Sequence, residues 1–173
     1  DRPYAAAAAV PVSTSASNQN DIGSQVNALI EWLGATKKLV RADGDGNCLF
    51  RSVAHQVYGD AGRHAQVRAE VCVYVLEHRD HFAKFIDGDV DAHVKYMRRL
   101  GKWDDHVEIM AISELYDRPI DIYHADVGTY LDAYEPQRVT QLKDVKPIQL
   151  AYSGQAHYDA IVDDDEELSL IHI

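Results

Sequence analysis

The sequence predicts an α+β fold in which helices pack around a small, mostly antiparallel sheet. Between Asp21 and Leu115 the apolar residues recur at spacings of three and four, which is the period of amphipathic helices. After Arg118-Pro119 they recur at a spacing of two, which is typical of strands. Helices followed by strands, with one lone strand before them, favour an α+β layout over alternating units.

Each predicted helix has one apolar face and a recognisable boundary. Gly34 ends the first helix and Gly59 ends the second. Asp89 is suited to cap the fourth helix, and Asp105 with Glu108 forms a capping-box pattern before the fifth. The apolar faces of the five helices fall within residues 22–33, 50–58, 67–75, 90–97 and 109–115.

The predicted strands are one early strand and four late ones. The early strand covers Leu39 to Arg41, before the second helix. Glycine or proline separates the late strands, as expected for the turns of a sheet. The late strands cover residues 120–123, 129–134, 148–152 and 157–162.

Length and charge indicate one acidic domain. A chain of 173 residues is large enough for a single core, which we assign to residues 21–162. Residues 1–20 predict a flexible N-terminal segment and residues 163–173 an acidic tail. The formal net charge is −11; five of the 28 acids are consecutive at 163–167, and without them 17 basic residues face 23 acids, for a charge of −6. This balance argues against nucleic acid or an anionic membrane as the partner, and we expect a monomer.

Cysteine use indicates a reducing compartment, the cytoplasm or the nucleus. Cys48 and Cys72 are too few for a disulfide framework. No apolar run approaches the roughly 20 residues of a membrane-spanning helix, and the N-terminus lacks the basic start of a signal peptide. The missing initiator methionine suggests a fragment or a processed chain.

The densest chemical signal is the segment Asp43-Gly44-Asp45-Gly46-Asn47-Cys48-Leu49-Phe50-Arg51. Its glycine and Asx residues predict a tight turn that delivers Cys48 to the first turn of a helix. Unpaired N–H groups and the helix dipole favour a negative charge there, which suits a thiolate nucleophile. The loop backbone is also suited to donate N–H groups to an oxyanion.

Three other interpretations of these residues fit the pattern less well. Asp43, Asp45 and Asn47 fit the first ligands of a calcium loop, but Cys48 stands where glycine is needed and Ala54 where glutamate is needed. The two cysteines lack the close spacing of a zinc motif. A buried structural cysteine describes Cys72, which lies among valines, better than Cys48.

A nucleophilic cysteine needs a base and a group that orients the base. His157 and Asp159 open the last predicted strand, where residues two apart project from the same face. Together with Cys48 they fit the logic of a Cys-His-Asp triad. The other histidines with helical or charged neighbours are predicted to be solvated: His55, His64, His78, His81 and His93.

These motifs resemble those of the ovarian-tumour (OTU) cysteine proteases, which are deubiquitinases. The resemblance rests on the segment 45–51, on Tyr152-Ser153-Gly154-Gln155-Ala156-His157-Tyr158-Asp159, and on two further stretches, 47–60 and 107–123. It extends from about Leu39 to Val162 and is closest to the deubiquitinating enzyme A subgroup. It implies a papain-like fold, no cofactor and no metal.

The resemblance also implies roles for individual residues. Cys48 becomes the nucleophile, His157 the general base and Asp159 the third member of the triad. Asp45 matches an acidic residue often grouped with the active site, and the resemblance does not decide which aspartate matters more. The backbone of Gly46, Asn47 and Cys48 is expected to form the oxyanion hole. Trp103-Asp104-Asp105 departs from the more usual Trp-Gly of the family.

The implied reaction is hydrolysis of the isopeptide bond between ubiquitin and lysine. Two alternatives stay open, namely a ubiquitin-binding module without catalysis and a peptidase that acts on a ubiquitin-like modifier. A substrate with basic side chains implies an acidic groove. Two acidic clusters are candidates for it, and we favour Asp104 and Asp105 as substrate-binding residues. The clusters are Asp87, Asp89 and Asp91, and Asp104, Asp105 and Glu108.

Overall fold

The structure, a computed structural model, describes residues 24, 27–31, 34, 36–102, 106–124, 130–134, 145–153 and 156–165. Helix α1 is described at residue 24 and over 27–31. A 3₁₀ turn at Ala61–Arg63 separates α2 from α3. The remaining elements are β1 (Lys37–Val40), α2 (Cys48–Tyr58), α3 (His64–Glu77), α4 (Arg79–Phe82), α5 (Val90–Met97), α6 (His106–Tyr116), β2 (Ile120–His124), β3 (Tyr130–Tyr134), β4 (Ile148–Ser153) and β5 (His157–Asp163).

The strands form one mixed, five-stranded sheet in the order β1-β5-β4-β2-β3. Three of its pairings are antiparallel, and the pairing of β2 with β4 is parallel. The predicted α+β fold with a mostly antiparallel sheet is therefore confirmed. Because β1 and β4 flank β5, the strand that begins at His157 lies inside the sheet rather than at its edge.

Helix α2 packs on the sheet and connects the main core to β5. Leu49, Phe50 and Val53 on α2 are all at most 1 % exposed and join a core that also contains Tyr158 of β5. The Ser52 hydroxyl donates to the Tyr158 carbonyl at 3.3 Å. The N-terminus of α2 is therefore held against the start of β5.

A smaller cluster contains residues of α1 and of the sheet. Leu29 of α1 is buried with Tyr123, Ala151 and Ile161 from three different strands. In the part of the chain that is described, no helix is long and apolar enough to cross a membrane.

Helix boundaries match the sequence prediction at two of the capping residues. Gly59 ends α2 in the left-handed conformation, and Asp89 accepts from the Ala92 N–H at 3.0 Å at the start of α5. The proposed partner of Glu108, Asp105, lies outside the described residues. The Glu108 carboxylate is 2 % exposed and contacts His93 Nε2 at 2.6 Å. It therefore lies in the interior between α5 and α6, and its buried charge is not available to a substrate.

The five helical histidines that were expected to be solvated are all half-buried, and two of them, His81 and His93, contact buried carboxylates. The His81 Nε2 lies 2.9 Å from Glu114 Oε1, and His93 contacts Glu108. Both carboxylates belong to α6 and are at most 3 % exposed. The histidines face α6 because a buried carboxylate requires a hydrogen-bonding partner.

The ends of the predicted domain are only partly described. Residues 1–20 and 166–173 lie outside the described residues. Strand β5 extends through Asp163, whose carboxylate pairs with Lys37 and with Lys146.

Candidate active site

The loop before α2 places Cys48 at the first position of that helix. Gly46 in this loop has φ of +80°, a conformation that favours glycine. It also packs on the backbone of Gly101, since a Cβ added at Gly46 would lie 2.2 Å from the Gly101 carbonyl oxygen. The tight turn expected from the sequence is thus imposed both by the backbone angle and by close packing.

Replacement of Gly46 by alanine is expected to lower the free energy of unfolding by more than backbone strain alone would lower it. Gly88 is the matched control, because its φ is +102° and nothing lies within 4 Å of its added Cβ. Gly88→Ala should cost about 1–2 kcal/mol from strain, whereas Gly46→Ala must also displace the Gly101 backbone. Thermal unfolding of the two variants measures the difference. Equal losses would contradict the close-packing argument.

His157 and Asp159 lie two residues apart at the start of β5 and contact each other. The His157 Nε2 atom lies 2.9 Å from Asp159 Oδ1. Asp159 is 2 % exposed, and its Oδ1 also accepts from the Ala42 N–H at 2.8 Å. Arg41, which is largely exposed, approaches Asp159 Oδ2 at 3.4 Å. These contacts fix the carboxylate and present its oxygen to the imidazole.

The Cys48 sulfur lies alongside His157. The Tyr158 N–H points to Sγ at 3.5 Å, and Sγ lies 3.9 Å from the Ala156 carbonyl oxygen. The sulfur is therefore next to the residues on both sides of His157. Because Nε2 is hydrogen-bonded to Asp159, Nδ1 is the imidazole nitrogen available to Cys48.

The electrostatics of His157 follow from this arrangement. The hydrogen bond to Asp159, followed by that to Cys48, raises the pKa of His157 to about 10, although partial burial opposes the shift. The imidazole is therefore protonated at neutral pH. Because the pKa is raised above its ordinary value of 6.5, the stability gained is full below about pH 6.5 and is lost as the pH rises toward 10.

Asp45 occupies a different part of the site. Its Oδ1 accepts from the Asn47 N–H at 3.1 Å, and its Oδ2 lies 2.6 Å from the Arg51 guanidinium. The contact with Arg51 holds the pKa of the Asp45 carboxyl well below its ordinary value. The geometry therefore distinguishes the two aspartates that the sequence left equal, since Asp159 contacts His157 and Asp45 braces the loop before Cys48.

The predicted oxyanion-hole residues lie together in this loop. The amide of Asn47 is directed at Asp45, and the carbonyl of Gly46 accepts from Arg68 at 2.9 Å. Cys48 begins α2, so its N–H is one of the groups that the helix itself does not satisfy. The predicted substrate-binding residues Asp104 and Asp105 lie outside the described residues.

Sequence reasoning missed Arg68, a buried cation behind the Cys48 loop. Arg68 is 1 % exposed and lies on α3 beside Val67 and Val71. Its guanidinium donates to the Asn47 side-chain oxygen at 3.0 Å. The available signal was an arginine directly adjoining the apolar face of a predicted helix, since arginine is almost never fully buried unless it is paired.

The second cysteine lies in a different environment. Cys72 is 3 % exposed within α3, and burial raises the pKa of its thiol to about 11. A thiol that stays protonated at neutral pH is a poor nucleophile. The interpretation of Cys72 as a structural residue agrees with these surroundings.

Comparison with known proteins assigns the family. The profile of the OTU-like cysteine proteases matches residues 43–160, from the loop before Cys48 to the strand that carries His157. The chain belongs to the OTU-like cysteine protease family. The family predicted from the two end motifs is thereby confirmed.

Several curated OTU proteins are similar to this chain over its central region. OTU domain-containing protein 5 of Homo sapiens is 34% identical over 122 residues, which cover 68% of this chain and 21% of the relative. OVARIAN TUMOR DOMAIN-containing deubiquitinating enzyme 6 of Arabidopsis thaliana is 39% identical over 122 residues, covering 69% of this chain and 23% of the relative. This OTU chain thus spans less than a quarter of the length of either relative.

Solved structures confirm the OTU fold. The OTU domain of OTUD1 superposes with a TM-score of 0.73 at 23% identity, covering 84% of this chain and 100% of that one. An OTU domain in complex with ubiquitin superposes with a TM-score of 0.60 at 20% identity, covering 77% of this chain and 81% of that one.

Proposed function

We propose that this OTU domain is a deubiquitinase that hydrolyses the isopeptide bond between the C-terminus of ubiquitin and a lysine side chain. The observation that carries the proposal is the position of His157, which lies between the Cys48 sulfur and the Asp159 carboxylate. Nε2 lies 2.9 Å from Asp159, and the residues before and after His157 contact Sγ. Support for the substrate comes from a relative named as a deubiquitinating enzyme and from an OTU structure in complex with ubiquitin.

The first half of the proposed reaction forms a thioester. The Cys48 thiolate attacks the carbonyl carbon of the ubiquitin C-terminal glycine, and the carbonyl oxygen becomes an oxyanion. His157 donates its proton to the lysine nitrogen as the carbon–nitrogen bond breaks. Asp159 holds the imidazole in position and stabilises its positive charge.

The second half releases ubiquitin. Water attacks the thioester carbonyl, and His157 takes a proton from that water. The carbon–sulfur bond breaks and regenerates the Cys48 thiolate. In both halves the oxyanion is stabilised by N–H groups of the loop. Because the Asn47 N–H is directed at Asp45, we assign this role to Cys48 and Gly46, with Asn47 as the residue that sets the loop.

The burial of Cys48 favours a slender substrate. Cys48 is 1 % exposed, so its sulfur is reached by a thin extended segment more readily than by a folded loop. A C-terminal tail that ends in glycine has this shape, since glycine carries no side chain at the reacting position.

Comparison of ubiquitin with its relatives tests the proposed substrate. The domain is incubated with di-ubiquitin and with conjugates of ubiquitin-like modifiers, and product formation is followed by gel and mass spectrometry. We expect kcat/KM to be larger for di-ubiquitin than for the conjugates of ubiquitin-like modifiers. Preferential cleavage of a ubiquitin-like conjugate would identify that modifier, rather than ubiquitin, as the substrate. Binding of ubiquitin without any cleavage would indicate a non-catalytic module.

We also propose that Asp104 and Asp105 contact basic side chains of the substrate. Reversing both charges to lysine is expected to raise KM by about fivefold at low salt, with a smaller effect at high salt because dissolved ions screen the attraction between surface charges. The matched control reverses Asp164 and Asp165, which are exposed at the end of β5 and carry the same charge. An equal effect of the two double variants, or one independent of salt, would overturn the assignment.

We propose that the protein is a monomer in the cytoplasm or the nucleus. The two free, buried cysteines support a reducing compartment, the cytoplasm or the nucleus, in which we expect a monomer.

A further inference from the structure

Arg68 makes several hydrogen bonds with its buried guanidinium. One terminal nitrogen, Nη1, donates to the Met97 carbonyl at 2.9 Å. The other, Nη2, lies within 3.0 Å of the Gly46 carbonyl, the Asn47 side-chain oxygen and the Lys102 carbonyl. The guanidinium carbon also lies 4.2 Å from the centre of the Phe50 ring, a cation–π contact.

These contacts join the loop before Cys48 to the segment 97–102. The Asn47 side-chain oxygen accepts both from Arg68 and from the Gly101 N–H, the latter at 2.8 Å. Gly46 packs directly on Gly101. The planar, forked guanidinium can reach several carbonyls at once, which a single ammonium group cannot do.

The peptide between Gly46 and Asn47 is held from two opposite sides. Its carbonyl oxygen accepts from Arg68 at 2.9 Å, and its N–H donates to Asp45 at 3.1 Å. In a trans peptide these two groups point in opposite directions. Arg68 on the interior side and Asp45 on the exposed side therefore fix the orientation of one peptide plane.

This peptide needs such a constraint because it follows a glycine. Glycine adopts positive and negative φ with similar ease, so it resists rotation of the adjoining peptide less than other residues do. Rotation would turn the Gly46 carbonyl away from Arg68 and toward Asp45. It would also disturb the neighbouring amides that we assign to the oxyanion, which lie directly before and after this peptide.

We infer that Arg68 is a positioning residue for catalysis, which holds the Gly46–Asn47 peptide in the orientation that aligns the oxyanion donors. The inference rests on the proposed hydrolase function and adds a residue outside the triad. Arg68 acts on the step that forms an oxyanion. We expect it to leave the intrinsic reactivity of the Cys48 thiol unchanged, because its hydrogen bonds to Met97, Gly46, Asn47 and Lys102 hold backbone and loop groups rather than the sulfur or the imidazole.

The test compares Arg68→Lys with wild type in two reactions of the same sulfur. Cleavage of di-ubiquitin passes through an oxyanion, whereas alkylation of Cys48 by iodoacetamide does not. We expect kcat for cleavage to fall by about 100-fold, the usual cost of one lost oxyanion donor, with KM and the alkylation rate close to wild type. Arg79→Lys, at an exposed arginine paired with Asp91, is the matched control and should leave both reactions unchanged.

Hydrogen exchange of the Asn47 backbone N–H gives a readout that is independent of activity. The amide is expected to be protected in wild type and in Arg79→Lys. In Arg68→Lys it should exchange about tenfold faster, which corresponds to the loss of one hydrogen bond to a charged group. An unprotected Asn47 backbone N–H in the wild-type protein overturns the inference whether or not Arg68→Lys folds, because the peptide is then not held in one orientation.

The outcomes separate this inference from the proposed function. An unchanged kcat, or an alkylation rate that falls in step with kcat, overturns the positioning role while wild-type cleavage stands. If wild type cleaves no ubiquitin conjugate, the proposed function fails, and the exchange rates of the Asn47 amide in the two arginine variants still test the role of Arg68.

Discussion

Replacement of Cys48 by alanine is expected to abolish hydrolysis of ubiquitin conjugates, with kcat reduced by about 10⁴-fold or more. Alanine has no nucleophilic atom, so the thioester cannot form. The fold should be retained, because Cys48 is a small residue whose loop is also held by Asp45 and Arg68. The measurement is single-turnover cleavage of di-ubiquitin, with circular dichroism to verify folding.

Cys72→Ala is the matched control for this variant. It removes the other cysteine of the chain, which is buried and whose thiol has a raised pKa. Its kcat should equal that of wild type, with only a modest loss of stability from the small cavity. Retained cleavage in Cys48→Ala, or loss of cleavage in Cys72→Ala, would show that Cys48 is not the nucleophile.

Replacement of Asp159 by asparagine is expected to lower kcat by about 10²- to 10⁴-fold and to change the pH profile. The carboxylate makes the largest contribution to the raised pKa of His157, which is about 10. Without this negative charge the pKa of His157 falls. The alkaline limb of kcat/KM, where the imidazole loses its proton, should therefore move to lower pH.

Asp45→Asn distinguishes the two aspartates. Asp45 contacts Asn47 and Arg51 and is not among the groups that shift the pKa of His157. We expect this variant to lose less activity and to keep the alkaline limb of wild type. The comparison is made by pH–rate profiles and by NMR titration of His157. An alkaline limb that moved in Asp45→Asn and stayed in Asp159→Asn would reverse the roles of the two residues.

The sequence sufficed to predict those features that depend on local patterns. The switch from a helical to a strand period predicted the α+β fold, and the Gly and Asx residues before Cys48 predicted a tight turn at the start of a helix. The spacing of His157 and Asp159 placed both on one face of a strand, and the structure brings them to 2.9 Å. These features need no knowledge of how distant segments pack.

Features that depend on packing between distant segments could not be predicted. Arg68 contacts the loop before Cys48 only because α3 crosses behind it, and no local pattern shows which carbonyls it reaches. His81 and His93 have the spacing of solvated helical residues but face the buried carboxylates of α6. The choice between Asp45 and Asp159 likewise required the three-dimensional position of His157.

Reaction with a ubiquitin whose C-terminus carries an electrophile tests the central claim most directly. Such a probe forms a covalent bond only where a ubiquitin-binding groove delivers its C-terminus to a reactive thiol. We expect one probe molecule per chain, attached to Cys48 by peptide mapping, and no adduct with His157→Ala because the imidazole is needed to activate the sulfur. Absence of labelling in wild type, or labelling at Cys72, would contradict a ubiquitin-directed Cys48–His157–Asp159 site.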